Sequence, residues 1–303
     1  MAVQTFNPDH VLVSEKLDGT LLPEMTEYIM TEVANNSAVM QLGQYVEMNG
    51  KQSKTFNIQT DGVSAYWVDE GHKIQTSKPE LIQVEMRAKK LGVILLASRE
   101  ALTYTWSEFF DDMKGQIASA FHKKFDSAAI LNVDNPFAFS IDQAAIASEN
   151  VTTGDVNYDN VLSLEDFIAD GGGTVDAFIS TTRNHTALRK AVDPDTKLSI
   201  YDRHSGVIDG RDTVVLEEVP KGTIYAVDHQ NIRYGVPYNI NYAISTEGTI
   251  STVTNPDGSP INLFEQELVA LRATMDVAFM TLKDEGFAKL QAEEAGEDDV
   301  PGV

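Results

Sequence analysis

The chain has 303 residues, 42% of them hydrophobic, with 46 acidic against 23 basic side chains and no cysteine. That length can bury a large core and accommodates two domains, or one with long excursions. Disulfides and thiolate metal sites are excluded, and a net charge of -23 repels phosphate backbones and anionic lipid, which disfavours sequence-specific nucleic-acid binding. Met1 to His10 lacks the pattern of a signal peptide and no apolar stretch is long enough to cross a bilayer, so a soluble intracellular protein is expected.

Up to about Leu22 the apolar residues are single and aperiodic, which predicts an extended arm. Pro23 suits a first helical position, and Met25, Ile29, Met30 and Val33 fall on one side of a short helix reaching Asn35. Residues 51–90 then alternate. Phe56 and Ile58 interleave with Thr55, Asn57 and Gln59, turns fall at Asp61-Gly62 and Glu70-Gly71, and Leu81 to Met86 repeats with period two. This predicts a long hairpin with too few large apolar residues to bury much surface alone, so it is expected to project and pack on something else. The same stretch holds seven basic residues (Lys51, Lys54, Lys73, Lys78, Arg87, Lys89 and Lys90) against five acids, whereas the last twenty residues hold seven acids and one lysine. A basic excursion on an acidic body suits docking onto another copy, and a solvated basic face is the other reading.

The strongest helical signal follows. Thr105 with Glu108 forms a capping box, and Phe109, Met113, Ile117, Phe121, Phe125 and Ala128 recur at three- and four-residue steps to about Leu131. A helix of about 26 residues is roughly 39 Å long, enough to span a subunit. Further on, the pattern predicts a helix at about Asn160 to Ala169 ended by Gly171 to Gly173, a strand Ala177 to Ser180 and a helix Arg183 to Ala191. Short strands are expected at Thr213 to Leu216, Thr223 to Val227 and Tyr238 to Ile244. After a turn at Asn255 to Gly258, a capped segment is expected to open at Asn262 with Glu265. Arg272 to Leu282 alternates again, and the acidic residues after Leu290 read as a disordered tail.

Catalytic signatures are missing: there is no phosphate-binding loop, dinucleotide fingerprint, nucleophile elbow or HExxH. The six histidines (His10, His72, His122, His185, His204 and His229) follow no ligand spacing. Asp155, Asn157, Asp159, Ser163 and Asp166 occupy five positions of a calcium-loop template, but Asn160 stands where the turn needs glycine. Capping of the next helix by Asn157 or Asp159 is the competing reading. No catalytic residue, metal or cofactor is assigned.

The run Tyr66-Trp67-Val68-Asp69-Glu70-Gly71-His72-Lys73-Ile74, then Thr76-Ser77-Lys78-Pro79, Lys89-Lys90-Leu91-Gly92 and Ser98-Arg99-Glu100-Ala101-Leu102, is similar to the central signature of the major capsid proteins of tailed double-stranded-DNA phages. Asn262-Leu263-Phe264, Leu271-Arg272 and Phe287-Ala288-Lys289-Leu290 resemble that family's ending. The resemblance covers nearly the whole chain and points to the siphophages of Gram-positive bacteria. It implies an α+β phage major-capsid fold: an N-terminal arm at 1–50, an extended β-hairpin loop at 51–88, and a peripheral domain at 89–145 and 263–290. That domain would be built on a spine helix at 105–131 and a strand returning at about 272–285. An axial domain at 146–262 would gather at hexamer and pentamer centres, and 291–303 would be an acidic tail.

The function so implied is that of a non-enzymatic subunit of an icosahedral virion shell, assembled in the host cytoplasm around DNA and without membrane contact. No scaffold-like segment of about a hundred residues precedes the arm, so either a separate scaffolding protein is expected or such a segment has been removed; a portal protein is expected as well. The candidate interface residues are Lys51, Lys54, Tyr66, Trp67, Glu70, Lys73 and Lys78, with Tyr66 and Trp67 placed either at the contact or at the loop's own base. Lys51, Lys54, Lys73 and Lys78 are candidates by region for a lysine-asparagine cross-link that some family members make. Charge reversal at Lys73 and Lys78 is expected to weaken shell formation. A cargo-enclosing encapsulin shell and a soluble acidic hydrolase are the competing classes.

Overall fold

The computed structural model describes residues 23–59, 73, 81–255 and 259–293, with side chains described from residue 30 onward except at 59 and 99–112. A helix α1, Pro23–Asn36, is followed after one residue by α2, Ala38–Leu42. Ser37 supplies the break: it caps α2 in an extended conformation and accepts from the Met40 amide. Strands β1 (Gln44–Tyr45) and β2 (Ser53–Gln59) precede β3, Leu81–Ser98. The strand predicted from Leu81 therefore runs 18 residues instead of stopping at Met86, because the apolar stretch from Leu91 continues the same extended backbone.

Helix α3 spans Arg99–Leu131. It starts six residues before the predicted Thr105, since Arg99, Glu100, Ala101 and Leu102 are strong helix formers and carry the helix upstream of the capping-box motif. Its 33 residues extend about 50 Å. After α4 (Ile141–Ala147) and β4 (Val151–Thr153) come α5 (Tyr158–Asp170), β5 (Ala177–Ser180) and α6 (His185–Lys190). Next are β6 (Asp212–Val215), β7 (Ile224–Val227), β8 (Ile232–Gly235) and β9 (Asn241–Ser245). The last strands are β10 (Thr249–Thr254), β11 (Pro260–Asn262), β12 (Leu268–Thr281) and β13 (Phe287–Gln291). The capped segment expected at Asn262 is instead the end of β11. Its Oδ1 accepts from the Phe264 amide at 3.2 Å, a local turn in place of a helix start.

Two mixed sheets organise these strands. One has the order β1-β8-β12-β3-β2, with β9 also paired to β12, and the other the order β4-β13-β7-β5-β6. Strand β12 is the axis of the first, pairing along β3 from Leu268↔Ser98 to Ala278↔Ala88 and with β9 and β8 on its other edge. Helix α3 lays Ile117, Phe121 and Phe125 against this sheet in one core with Met275, Val277 and Phe279. Phe125 stands edge-on to both Phe137 and Phe279, with ring centres 6.0 and 6.4 Å away.

A second core gathers Val161, Leu164 and Ile168 of α5 against Phe178, Ile224 and Leu290. The chain crosses between the sheets at 228–231 and again at 282–286, and the crossovers brace each other. Leu282 donates to the Asn231 carbonyl at 2.9 Å and Asp228 to the Gly286 carbonyl at 3.0 Å. No described helix is long and apolar enough to cross a membrane.

Candidate assembly surfaces

Beyond Ala88, β3 leaves β12 and pairs only with β2, from Ser53↔Arg87 to Gln59↔Leu81. Alternation sorts this ribbon into two faces. Phe56 opposes Val84 and Ile58 opposes Ile82 on one, while Thr55 opposes Glu85 and Asn57 opposes Gln83 on the other. The apolar face is closed at its root, where Met86 and Ala88 are buried with Val46, Met48, Ala278 and Met280 and Phe56 and Val84 pack partly buried on the same cluster. Farther out on this face Ile82 is 50% exposed, and Leu81, on the opposite face with Gln83 and Glu85, is 61% exposed. A two-stranded ribbon without a second layer is marginal in water, and among the described residues the outer end of this face joins no core cluster.

Charge surrounds that face. Lys54 donates to the Glu47 carbonyl at 2.9 Å and lies over the Phe56 ring, 5.8 Å from its centre. On the opposite face Arg87 holds Glu85 at 2.7 Å, which keeps the Glu85 carboxyl below its ordinary range. Lys51 and Lys73 are exposed. Of the other interface candidates, Tyr66, Trp67, Glu70 and Lys78 lie outside the described residues. Of the spine-helix candidates, Ile117, Phe121 and Phe125 are buried and Met113 packs partly buried on the same core, while the Phe109 side chain lies outside the described set. The spine candidates are thus core residues that position the ribbon.

One structural anchor is not visible in the sequence. Asp126, fully buried on α3, accepts from Ser37 Oγ at 2.6 Å and from the amides of Ala38 and Val39 at 2.8 and 3.2 Å. It thereby ties the start of α2 to the long helix. Burial pushes its pKa up to about 6 against the pull of those three donors. The 89-residue separation from Ser37 hides the pairing. The only local sign is Ser37 itself, a good N-cap residue.

The calcium-template residues resolve as a helix start: Asn157 caps α5 by accepting from the Asn160 amide at 2.8 Å, and Asp159 to Asp166 lie within the helix. A different cluster, Asp176, Asp228 and His229, brings ligand-type atoms within 4.8 Å of one another. Its carboxylates are already engaged. Asp228 accepts from the Gln230 amide at 2.8 Å and from Asn231 Nδ2 at 3.0 Å, while Asp176 takes the His229 amide at 3.1 Å and its ring nitrogen. Its place is the first crossover between the sheets.

A long helix is braced on a mixed sheet from which a two-stranded ribbon projects. The chain belongs to the phage capsid family, whose model matches residues 18–292. It is 48% identical over 302 residues to the major capsid protein of Staphylococcus phage 80alpha, spanning 99% of this chain and 93% of that one. A solved structure from Microbacterium phage Oxtober96 superposes with a TM-score of 0.72 at 20% identity, covering 85% of this chain and 91% of the other. The solved capsid of an empty GTA particle, with C5 symmetry, gives 0.66 at 13% identity over 85% and 90%. The protein is a phage major capsid protein, a structural component of the virion that works in multiple copies and is not an enzyme.

Proposed function

We propose that copies of this chain close into hexamers and pentamers of an icosahedral head that encloses double-stranded DNA, with the β2–β3 ribbon crossing onto a neighbouring subunit. The observation that carries this reading is the outer end of the ribbon's apolar face, where Ile82 stays 50% exposed beyond the point at which Phe56 and Val84 pack against the core at the root. In this reading residues 89–145 and 263–290 form the peripheral domain, 146–262 form the axial domain at the ring centres, and a separate scaffolding protein and a portal protein join assembly in the host cytoplasm. An excess of 23 negative charges keeps the shell from gripping the DNA, which can then slide during packaging and ejection.

The test is electron microscopy and sedimentation of the expressed full chain beside Ile58→Asp/Ile82→Asp. The wild type should give closed shells or capsomers, and the variant soluble subunits with an unchanged circular-dichroism spectrum. Shells of normal size and yield from the variant would refute the crossing ribbon.

A further inference from the structure

Strands β5 and β7 pair antiparallel from Ala177↔Val227, and the next residue outward on each strand is an aspartate, Asp176 and Asp228. His229 follows at once, at the first crossover between the sheets. The end of the ladder therefore gathers two carboxylates and an imidazole, although 53 residues separate Asp176 from His229. One ligand-type atom from each lies within 4.8 Å of the others. Like charges facing each other across a ladder repel, and burial sharpens the repulsion. Asp228 is only 7% exposed. Of the described ion pairs, only that between His229 and Asp176 reaches either carboxylate, so the cluster keeps an excess of negative charge.

The bonds these groups already make do not fill them. A carboxylate offers about four lone-pair positions. Asp228 gives one oxygen to the Gln230 amide and the other to Asn231 Nδ2, while Asp176 meets the amide and ring nitrogen of His229 through Oδ2. Fixed donors of this kind hold metal-binding carboxylates in orientation. Gly173 keeps the space beside the buried carboxylate open, because a Cβ there would lie 3.3 Å from Asp228 Oδ2 and 2.9 Å from Ile168 Cγ2. The His229 and Asp176 side chains are 43% and 32% exposed, so the cluster opens to solvent on their side and is closed behind by Asp228.

We infer that Asp176, Asp228 and His229 form a binding site for one divalent transition-metal ion of the Zn²⁺ or Mn²⁺ class. An imidazole beside two carboxylates suits these ions, whereas Ca²⁺ and Mg²⁺ favour oxygen ligands alone. Three protein ligands leave a further position for water. The ion cancels the repulsion between the carboxylates and ties the end of β5 to the first crossover. That crossover holds the second, through the Asp228 amide on the Gly286 carbonyl at 3.0 Å and the Leu282 amide on the Asn231 carbonyl at 2.9 Å. A bound ion therefore stiffens the joint between the two sheets, independently of how the β2–β3 ribbon docks.

The test uses the purified full chain, stripped with chelator and then titrated with ZnCl₂ or MnCl₂ in equilibrium dialysis and in thermal unfolding. For at least one of the two ions, one equivalent should bind per chain and the unfolding midpoint should rise by about 5 °C at a hundredfold excess over the dissociation constant. Asp176→Ala/His229→Ala removes the two accessible ligands and leaves buried Asp228 in place, and its midpoint should no longer respond to the ion. His229→Gln should weaken binding at least about tenfold with an unchanged circular-dichroism spectrum. No bound ion and no shift in the wild type overturn the site and leave a hydrogen-bonded turn. A full shift retained in the double variant places the ion on other residues and overturns the assignment equally.

Discussion

Replacing Asp126 by asparagine separates the cost of a buried charge from the value of the bonds it accepts. In the native state its ionisation is displaced from 3.8 to about 6, with burial the leading cause. A folded-state pKa above the unfolded one means that the native protein holds its proton more tightly between those values. Stability from this group is therefore fully present below about pH 4 and falls as pH rises towards 6. At 1.36 kcal/mol per unit, the buried carboxylate costs about 3 kcal/mol at pH 7 and about 1 kcal/mol at pH 4.5.

The amide introduced by Asp126→Asn cannot ionise, so the variant should lack this dependence. In urea unfolding of the full chain, held unassembled by Ile58→Asp/Ile82→Asp, the protein that keeps Asp126 should gain about 2 kcal/mol over the Asp126→Asn variant between pH 7 and pH 4.5. Parallel stability changes in the two proteins would refute a raised Asp126 pKa. The substitution should also put an amide against the Ala38 or Val39 N–H, so α2 should show faster hydrogen exchange in the variant at every pH.

Two further perturbations test the core that positions the ribbons. Phe125→Ala removes a ring packed edge-on to Phe137 and Phe279, and should cost about 3–5 kcal/mol in urea unfolding with little change in slope. Gly286→Ala would place a methyl carbon 2.2 Å from Asn231 Nδ2 and 2.9 Å from its Cγ, where the two crossovers touch. It should lower stability by about 1–3 kcal/mol, and Asn231→Ala in the same chain should recover part of that loss.

The elements legible in the sequence are those whose own residues specify them. Helix α5 has Asn157 before it, Val161 and Leu164 on its buried face, and Gly172 in the left-handed region after it, so its ends follow from local chemistry. The β2–β3 ribbon is visible because polar and apolar residues alternate along both of its strands. Strands β8 and β13, with four and five residues, are too short for a period to emerge and form because β12 and β7 offer them open edges. The start of α3 lies upstream of the predicted one because Thr105 and Glu108 match a capping box wherever they occur, and only the backbone tells a cap from a mid-helix pair. The β10–β11 ribbon escapes the pattern for another reason. Thr249 to Thr254 is mostly exposed, without a buried face to mark it, although the absence of any basic residue from Tyr234 to Leu271 is there to be read.

In the crossing-ribbon reading, a thinly apolar β2–β3 ribbon is what a closed shell requires. Two or three partly exposed side chains on each face, at about 1.5–3 kcal/mol for a full burial, give a gross gain of several kcal/mol per contact. This is comparable to the ~4–15 kcal/mol of freedom lost on association, so a single ribbon contact is weak and reversible. A ring changes the balance, because the contact that closes it is intramolecular and adds buried surface without a further association cost. Misplaced subunits can then leave before closure while completed rings persist. A more apolar ribbon would bind the first copy it met and trap errors, and it would leave the free subunit with an aggregating edge. In the crossing-ribbon reading, Lys54 over Phe56 on the apolar face and the Glu85–Arg87 pair on the opposite one keep the ribbon soluble until a neighbour covers it.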